Sequence, residues 1–194
     1  MIGDMDEVRI YNRALSADEI GGLINSPPVA VCQNVTVGAG PGCDADASID
    51  NGSYDPDGDT ITITQTPAGP YSLGDTLVTL TVTDDSGASD SCTAIVTVID
   101  ATPPVISLNG DPIITLECRI DSYTEPGASV ADNCDSGVTV VIGGHAVDTS
   151  TCGTYIVTYN ATEAGGNAAT EVTRTVIVQD TIQPEITIVA PEPY

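Results

Sequence analysis

Hydrophobic and polar residues along this chain alternate mostly with a period of two. In the run from Gly74 to Thr83, Leu77, Thr79 and Thr81 fall on one face, and Val78, Leu80 and Val82 fall on the other. That is the pattern of a half-buried strand. The segment GDTLVTLTVTDDSGASDSCTAIVTVID runs from Gly74 to Asp100, and GTYIVTYNATEAGGNAATEVTRTVIVQD runs from Gly153 to Asp180. Both follow one plan: an alternating strand, a turn rich in glycine and acidic residues, then a second alternating strand, which predicts a hairpin. Further strands are predicted near 29–37, 60–66, 113–118 and 137–142. Short strands at this density, separated by turn signals, predict antiparallel sandwiches.

The plan repeats because the linkers repeat. NSPPVAV, DATPPVISL and DTIQPEITI place Pro28, Pro104 and Pro184 at matching points, roughly 75–80 residues apart, a period of domain arrays rather than of a solenoid. Each proline removes a backbone donor and stiffens the entry to a first strand. The two ends fall outside this scheme. Residues 4–15 read as one strand. Ser16, with Glu19 three positions later, makes a capping box for a short helix to about Ile24. PEITIVAPEPY at the other end reads as a single alternating strand. The expected fold class is therefore all-β: two tandem antiparallel sandwiches at 26–100 and 101–180, with a short N-terminal strand–helix fragment (1–25) and a C-terminal orphan strand (181–194).

Composition narrows the partners. Twenty-eight acidic residues face four basic ones, for a formal net charge of −24, and all four basic residues are arginines. Such a chain repels nucleic-acid phosphate and anionic membrane surfaces, and it attracts cations. Calcium is the expected one, because hard cations take carboxylate and carbonyl oxygens. A hydrophobic fraction of 41% argues against disorder. No apolar run is long enough to cross a bilayer as a helix. Without Trp or Phe, the core must be built of thin aliphatic layers, and stacking on a sugar face is weakened. The opening MIGDMDEVRI is charged where a secretory leader is apolar, so a piece of a larger precursor is expected. Six cysteines without a C-x-x-C pair, beside a single histidine, predict disulfides and an oxidising compartment rather than a zinc site.

Three stretches carry resemblances. Residues 3–20, GDMDEVRIYNRALSADEI, resemble the ending of laminin-G-like, concanavalin-type jelly rolls of secreted bacterial proteins. Residues 26–100 resemble the hyalin-repeat and PKD-like group of extracellular Ig-like modules through DPDGD, LGDTLVTLTVTDDSGASDSC and VTVID. Residues 101–180 resemble a bacterial surface Ig-like repeat through PPVISLNGD, YTEPGASVADNCD, VDTSTCGTYIVTYNATEAGGNAA and RTVIVQD. The usual DxxGN turn of that repeat reads EAGGN here, with Glu163 in the aspartate position. These resemblances imply Ig-like sandwiches serving as spacers, stalks or adhesive modules of a large secreted or surface-anchored protein, outside the cell and without catalysis. The partners implied are neighbouring modules, identical subunits, or a surface ligand or glycan.

In an Ig-like sandwich the first and last strands run side by side and parallel. Cys32 and Cys92 then begin strands at the same pole, which favours their pairing. For the second unit the resemblance implies Cys118–Cys134, a choice that strands Cys43 and Cys152 too far apart to bridge. The alternative is Cys118–Cys152 with Cys43–Cys134 across the junction, turning two beads into a rod. The sequence leaves both open.

Candidate chemistry is confined to SYDPDGDTI at 53–61. Asp55, Asp57 and Asp59 present short carboxylates around Gly58, and a calcium ion held there needs a second contributor: Asp84, Asp85 or the linker residue Asp100. The competing reading is a tight turn favoured by Asp, Pro and Gly for backbone reasons. The strand TITITQT that follows excludes an EF-hand. His145 lacks any nucleophile signature around it and is expected to be exposed and idle. Two functions are carried forward. One is a spacer or adhesion module. The other is a subunit of an extracellular filament, in which Val8 and Ile10, or Ile186 and Ile188, add as a donated strand to an adjacent subunit.

Overall fold

The computed structural model describes residues 13–16 and 25–187. The chain divides into two compact units. The first runs up to Gly40 and resumes over Asp44–Ile99; the second takes Pro41–Cys43 and everything from Asp100 onward.

In the first unit, a four-stranded sheet is ordered β1 (Val35–Gly38), β6 (Ser89–Ile99), β5 (Gly74–Thr83), β3 (Thr62–Thr66). Strands β5 and β6 form the hairpin that the alternation predicts, from Gly74 opposite Val98 to Thr83 opposite Ser89. A short pair, β2 (Asp44–Ala45) with β4 (Tyr71–Ser72), and isolated bridges from Val29 to Tyr54 and from Cys32 to Asp50 supply the second layer. The core lies between: Val78, Leu80 and Val82 are fully buried with Val96, Val98, Ile49 and Tyr71, whereas Leu77 on the opposite face of β5 is 66% exposed. Gln65 is the polar brace of this core. Its side chain accepts from the Ile49 N–H at 2.7 Å and donates to the Ala47 carbonyl and the Tyr71 hydroxyl, each at 2.9 Å.

The second unit repeats the plan. Its main sheet is ordered β10 (Val141–Gly144), β11 (Gly153–Asn160), β12 (Val172–Gln179), β8 (Ile113–Glu117), and β7 (Val105–Leu108) pairs with β9 (Ala128–Ala131). Val157, Tyr159, Val176 and Val178 form the buried face. Arg174 shares their side of the sheet and is completely buried. Each arm of its guanidinium is satisfied: Nε donates to the Asp111 carbonyl at 3.0 Å, Nη2 to the Asn109 carbonyl at 2.5 Å, and Nη1 to the Tyr159 hydroxyl at 2.6 Å and to the Glu125 carboxylate. The Tyr123 and Tyr159 hydroxyls donate to the same carboxylate, and the Gly127 N–H joins them at 2.8 Å. Burial raises the Glu125 pKa, but these donors and the Arg174 charge outweigh it and hold the carboxyl below its ordinary range.

Three disulfides tie the strands: Cys32–Cys92, Cys43–Cys134 and Cys118–Cys152, with no free cysteine among the described residues. Cys118 therefore pairs with Cys152, not with Cys134.

The all-β expectation fits, and each unit closes by a parallel pair: β1 on β6, with Val35 opposite Val96, and β8 on β12, with Ile114 opposite Val176. The expected fold class needs correction at the chain ends. The described residues contain no helix, so the N-terminal strand–helix fragment is withdrawn; residues 13–16 and 25–28 carry neither strand nor helix, and the rest of that fragment lies outside the described residues. At 25–28, Pro27 and Pro28 hold the chain out of a helix, and Asn25 and Ser26 are engaged with Asp84 and Asp57 at 2.8 and 2.6 Å. The orphan C-terminal strand is also absent over residues 181–187. There Thr181 donates its N–H and hydroxyl to Glu117 at 2.7 and 2.6 Å, and Pro184 follows. Strand β10 starts at Val141 rather than near 137, because residues 132–137 form the turn capped by Asp132 and Asp135.

Leu80→Ala is expected to lower stability by about 2–5 kcal/mol, seen as a lower urea midpoint. Glu125→Ala strands the buried guanidinium of Arg174. It should cost about 3 kcal/mol, the low end for a broken buried pair, because Glu125 keeps some exposure. The folded-state pKa of Glu125 lies below its unfolded value of 4.5, so its contribution is present above that value and fades as pH falls through the depressed one. Acid unfolding should accordingly be less steep in Glu125→Gln than in wild type when melts are followed downward from neutral pH.

Candidate metal centres

Two groups of carboxylates among the described residues bring ligand oxygens within 4.8 Å of one another: Asp55, Asp57 and Asp59 in the first unit, and Asp100, Asp132 and Glu163 in the second.

The first group is built by a turn. Pro56 fixes the backbone after Asp55, the Gly58 N–H returns to the Asp55 carbonyl at 3.2 Å, and Gly58 takes φ of 83°, a value that favours glycine. One oxygen of Asp55, Oδ1, closes the turn by accepting from the N–H groups of Asp57 (2.7 Å) and Asp59 (3.4 Å). The other, Oδ2, is buried and accepts from nothing. Asp57 Oδ2 accepts from the Ser26 N–H. Burial, then the charges of Asp85, Asp55, Asp57 and Asp84, push the Asp59 carboxyl above its ordinary range. Both competing readings thus find support in the same residue: Oδ1 of Asp55 is a turn cap, and Oδ2 is a buried acceptor without a donor.

Asp84 is closed. Its Oδ1 accepts from the Ser86 and Ala88 N–H groups and the Ser86 hydroxyl, and its Oδ2 accepts from the Asn25 amide. That amide first, and the Ser86 and Ala88 donors after it, hold the Asp84 pKa low against the cost of burial. Asp100 is grouped with Asp132 and Glu163, two residues the sequence reading had not singled out as ligands. Glu163 opens the EAGGN turn, with the Gly166 N–H on its carbonyl at 3.0 Å and Gly166 at φ of 96°. Its carboxylate is buried. Burial and the neighbouring Asp100 and Asp132 charges raise its pKa, although the Asn167 amide donates to Oε1. Asp132 Oδ1 accepts from the Cys134 and Asp135 N–H groups at 2.8 and 2.9 Å, which keeps that carboxyl low. Asp132 Oδ2 and Glu163 Oε2 are buried without a hydrogen-bond partner.

The remaining sequence candidates are simpler. His145 is exposed; its Nδ1 accepts the Ile156 N–H at 2.9 Å and its ring meets Tyr155 edge-on. That is an edge-strand brace rather than a reactive pair. Ile186 is 86% exposed, and Val8, Ile10 and Ile188 lie outside the described residues. No helix among the described residues is long and apolar enough to cross a membrane.

In the comparisons with known proteins these disulfide-tied sandwiches are similar to extracellular Ig-like repeats. Residues 106–178 match the family described as bacterial surface protein, Ig-like domain. The chain is 34% identical over 134 residues to hyalin of Lytechinus variegatus, covering 65% of this chain and 25% of that protein. It is 34% identical over 145 residues to hyalin of Strongylocentrotus purpuratus, covering 69% and 12%. The chain thus spans a quarter or less of these relatives. Among solved structures, a lipoprotein of Bacteroides thetaiotaomicron aligns at 32% identity over 42% of this chain and 40% of that one, with a TM-score of 0.34. The first two ectodomain repeats of human protocadherin-24 align at 15% identity over 81% and 100%, with a TM-score of 0.40. The surface Ig-like match and the disulfides fit an extracellular or cell-surface location.

Asp59 has a folded-state pKa raised above 3.8, so its favourable contribution exists below that value and is lost as pH rises through the raised one. Asp59→Asn should therefore raise the melting temperature at neutral pH in EDTA. The gain should shrink as pH drops below the ordinary aspartate range, as differential scanning calorimetry across pH would show.

Proposed function

We propose that this chain is a non-enzymatic spacer or stalk segment of a large surface protein, with modules at 26–100 and 101–180 that hold other parts of the parent away from the cell. The observation that carries this reading is the surface Ig-like match over residues 106–178, in a chain where Asp50, Asp84, Asp132 and Asp148 are spent on its own turns. Asp50 caps the Ser53 turn, Asp148 the Ser150 turn, and Glu117 the Thr181 linker. The partners of such a segment are its neighbouring modules.

Calcium at Asp55, Asp57 and Asp59 belongs to the same reading. The uncapped Oδ2 of Asp55 and the crowding that raises Asp59 both favour a cation. A bound ion stabilises the folded state by mass action.

Sedimentation velocity at high protein concentration tests the spacer: a single monomeric species is expected with calcium and with EDTA. Concentration-dependent polymer would favour the filament reading instead. The melting temperature should rise in millimolar calcium, and an identical melt in EDTA would remove calcium from the proposal.

A further inference from the structure

We propose that Asp100, Asp132 and Glu163 form a dedicated calcium site of the second unit, independent of the Asp55 loop and of the chain's role as a spacer. Three observations converge. The ligand oxygens lie within 4.8 Å of one another. Glu163 is 5% exposed, and its Oε2, like Asp132 Oδ2, is buried with no donor. In each of these two carboxylates the second oxygen is already locked, Asp132 Oδ1 by two backbone N–H groups and Glu163 Oε1 by Asn167. The free oxygens are thus held in place before any ion arrives. A buried acceptor left without a partner is costly, and a cation answers that cost for several oxygens at once.

The first unit provides an internal control. Asp84 and Glu163 occupy the same place in the two hairpin turns, DDSGA and EAGGN. In the first unit the linker ahead of the Pro-Pro pair supplies Asn25, whose amide donates to the free oxygen of Asp84. In the second unit the linker ahead of Pro103 and Pro104 supplies Asp100, an acceptor where the other had a donor. A third carboxylate where the first unit has a hydrogen-bond donor calls for positive charge, and Arg174 pairs with Glu125 rather than with this cluster. The Asp100 carbonyl is meanwhile held by Asn167 at 3.0 Å, which fixes the linker residue beside the site. Gly165 leaves room for the carboxylate, since a Cβ there would come 3.0 Å from Glu163 Oε1. An all-oxygen, carboxylate-rich site that joins three separate segments suits calcium, which tolerates irregular geometry better than magnesium does.

Calorimetric titration of calcium into the chelator-stripped 194-residue chain tests this. Asp132→Asn and Glu163→Gln should each weaken one binding event by at least tenfold, and Asp55→Asn/Asp59→Asn should retain that event. Asp100→Asn, which alters a partly exposed linker residue, provides a variant expected to fold regardless and should weaken the same event. In EDTA, Glu163→Gln should melt at or above wild type, because the change removes like-charge repulsion. Calcium binding unchanged in Glu163→Gln and Asp100→Asn, or magnesium bound as tightly as calcium, would overturn the assignment. If the Asp55/Asp59 variant alone loses binding, the first-unit site stands and this one fails.

Discussion

Each unit has to close a sandwich around very little apolar volume. With neither Trp nor Phe in the chain, the first core consists of Ile49, Tyr71, Val78, Leu80, Val82, Ala94, Val96 and Val98. Fully burying a side chain of this size contributes about 1.5–3 kcal/mol, which backbone entropy readily offsets in a domain this small. The remaining features follow from that shortage. Parallel closure of β1 on β6 and of β8 on β12 puts every long strand under cover on at least one side. Polar braces stand in for missing aromatic bulk. Gln65 ties three strand segments in the first unit, and Arg174, stacked 5.4 Å from the Tyr159 ring centroid, does so in the second. The disulfides add restraint on the unfolded chain, and that restraint grows with the length of the loop they close.

The same chain carries a formal charge of −24 and still folds, because most buried or half-buried carboxylates are turned on backbone donors. Asp50, Asp84 and Asp132 each cap a turn, as the exposed Asp148 also does, and the donors keep their pKa values low. Against that background a buried oxygen without a donor stands out. Asp55 Oδ2, Asp132 Oδ2 and Glu163 Oε2 are the three among the described residues, and all belong to carboxylate clusters. The accounting of hydrogen bonds, more than the density of aspartates, separates a solvated turn from a cation site.

The hairpins were legible because two local signals coincide in them: alternation over Leu77–Val82 and Tyr155–Tyr159, and acidic glycine turns between. The pairing of Cys32 with Cys92 was legible through parallel closure, since a parallel register brings both sulfurs to one pole. Arg174 could have been noticed: it alternates in step with Val172, Val176 and Val178, a charge at a core position. Its partner Glu125 could not, because the pair is 49 residues apart and nothing local marks it. The Asp100, Asp132 and Glu163 grouping failed for the same reason. Each residue reads locally as a linker or turn capper, and only the tertiary fold converts three caps into one cluster. The helix read from the capping-box pattern at Ser16 falls on residues 17–24, outside the described residues.

Residues 41–43 interrupt the first unit in sequence but belong to the second, where Cys43 is bonded to Cys134 across 91 positions. Tension applied to the two ends of the chain therefore has two covalent routes from Cys32 to Cys152: one through Cys43–Cys134, the other through Cys32–Cys92, residues 92–118 and Cys118–Cys152. Residues 44–91, including β5, lie on a side branch that bears no load while the bridges are intact. Reducing all three bridges would bring the whole run from Cys32 to Cys152 under load and, at about 3.3–3.6 Å per extended residue, release about 300 Å of slack, so the redox state of the surroundings would set how far this segment stretches.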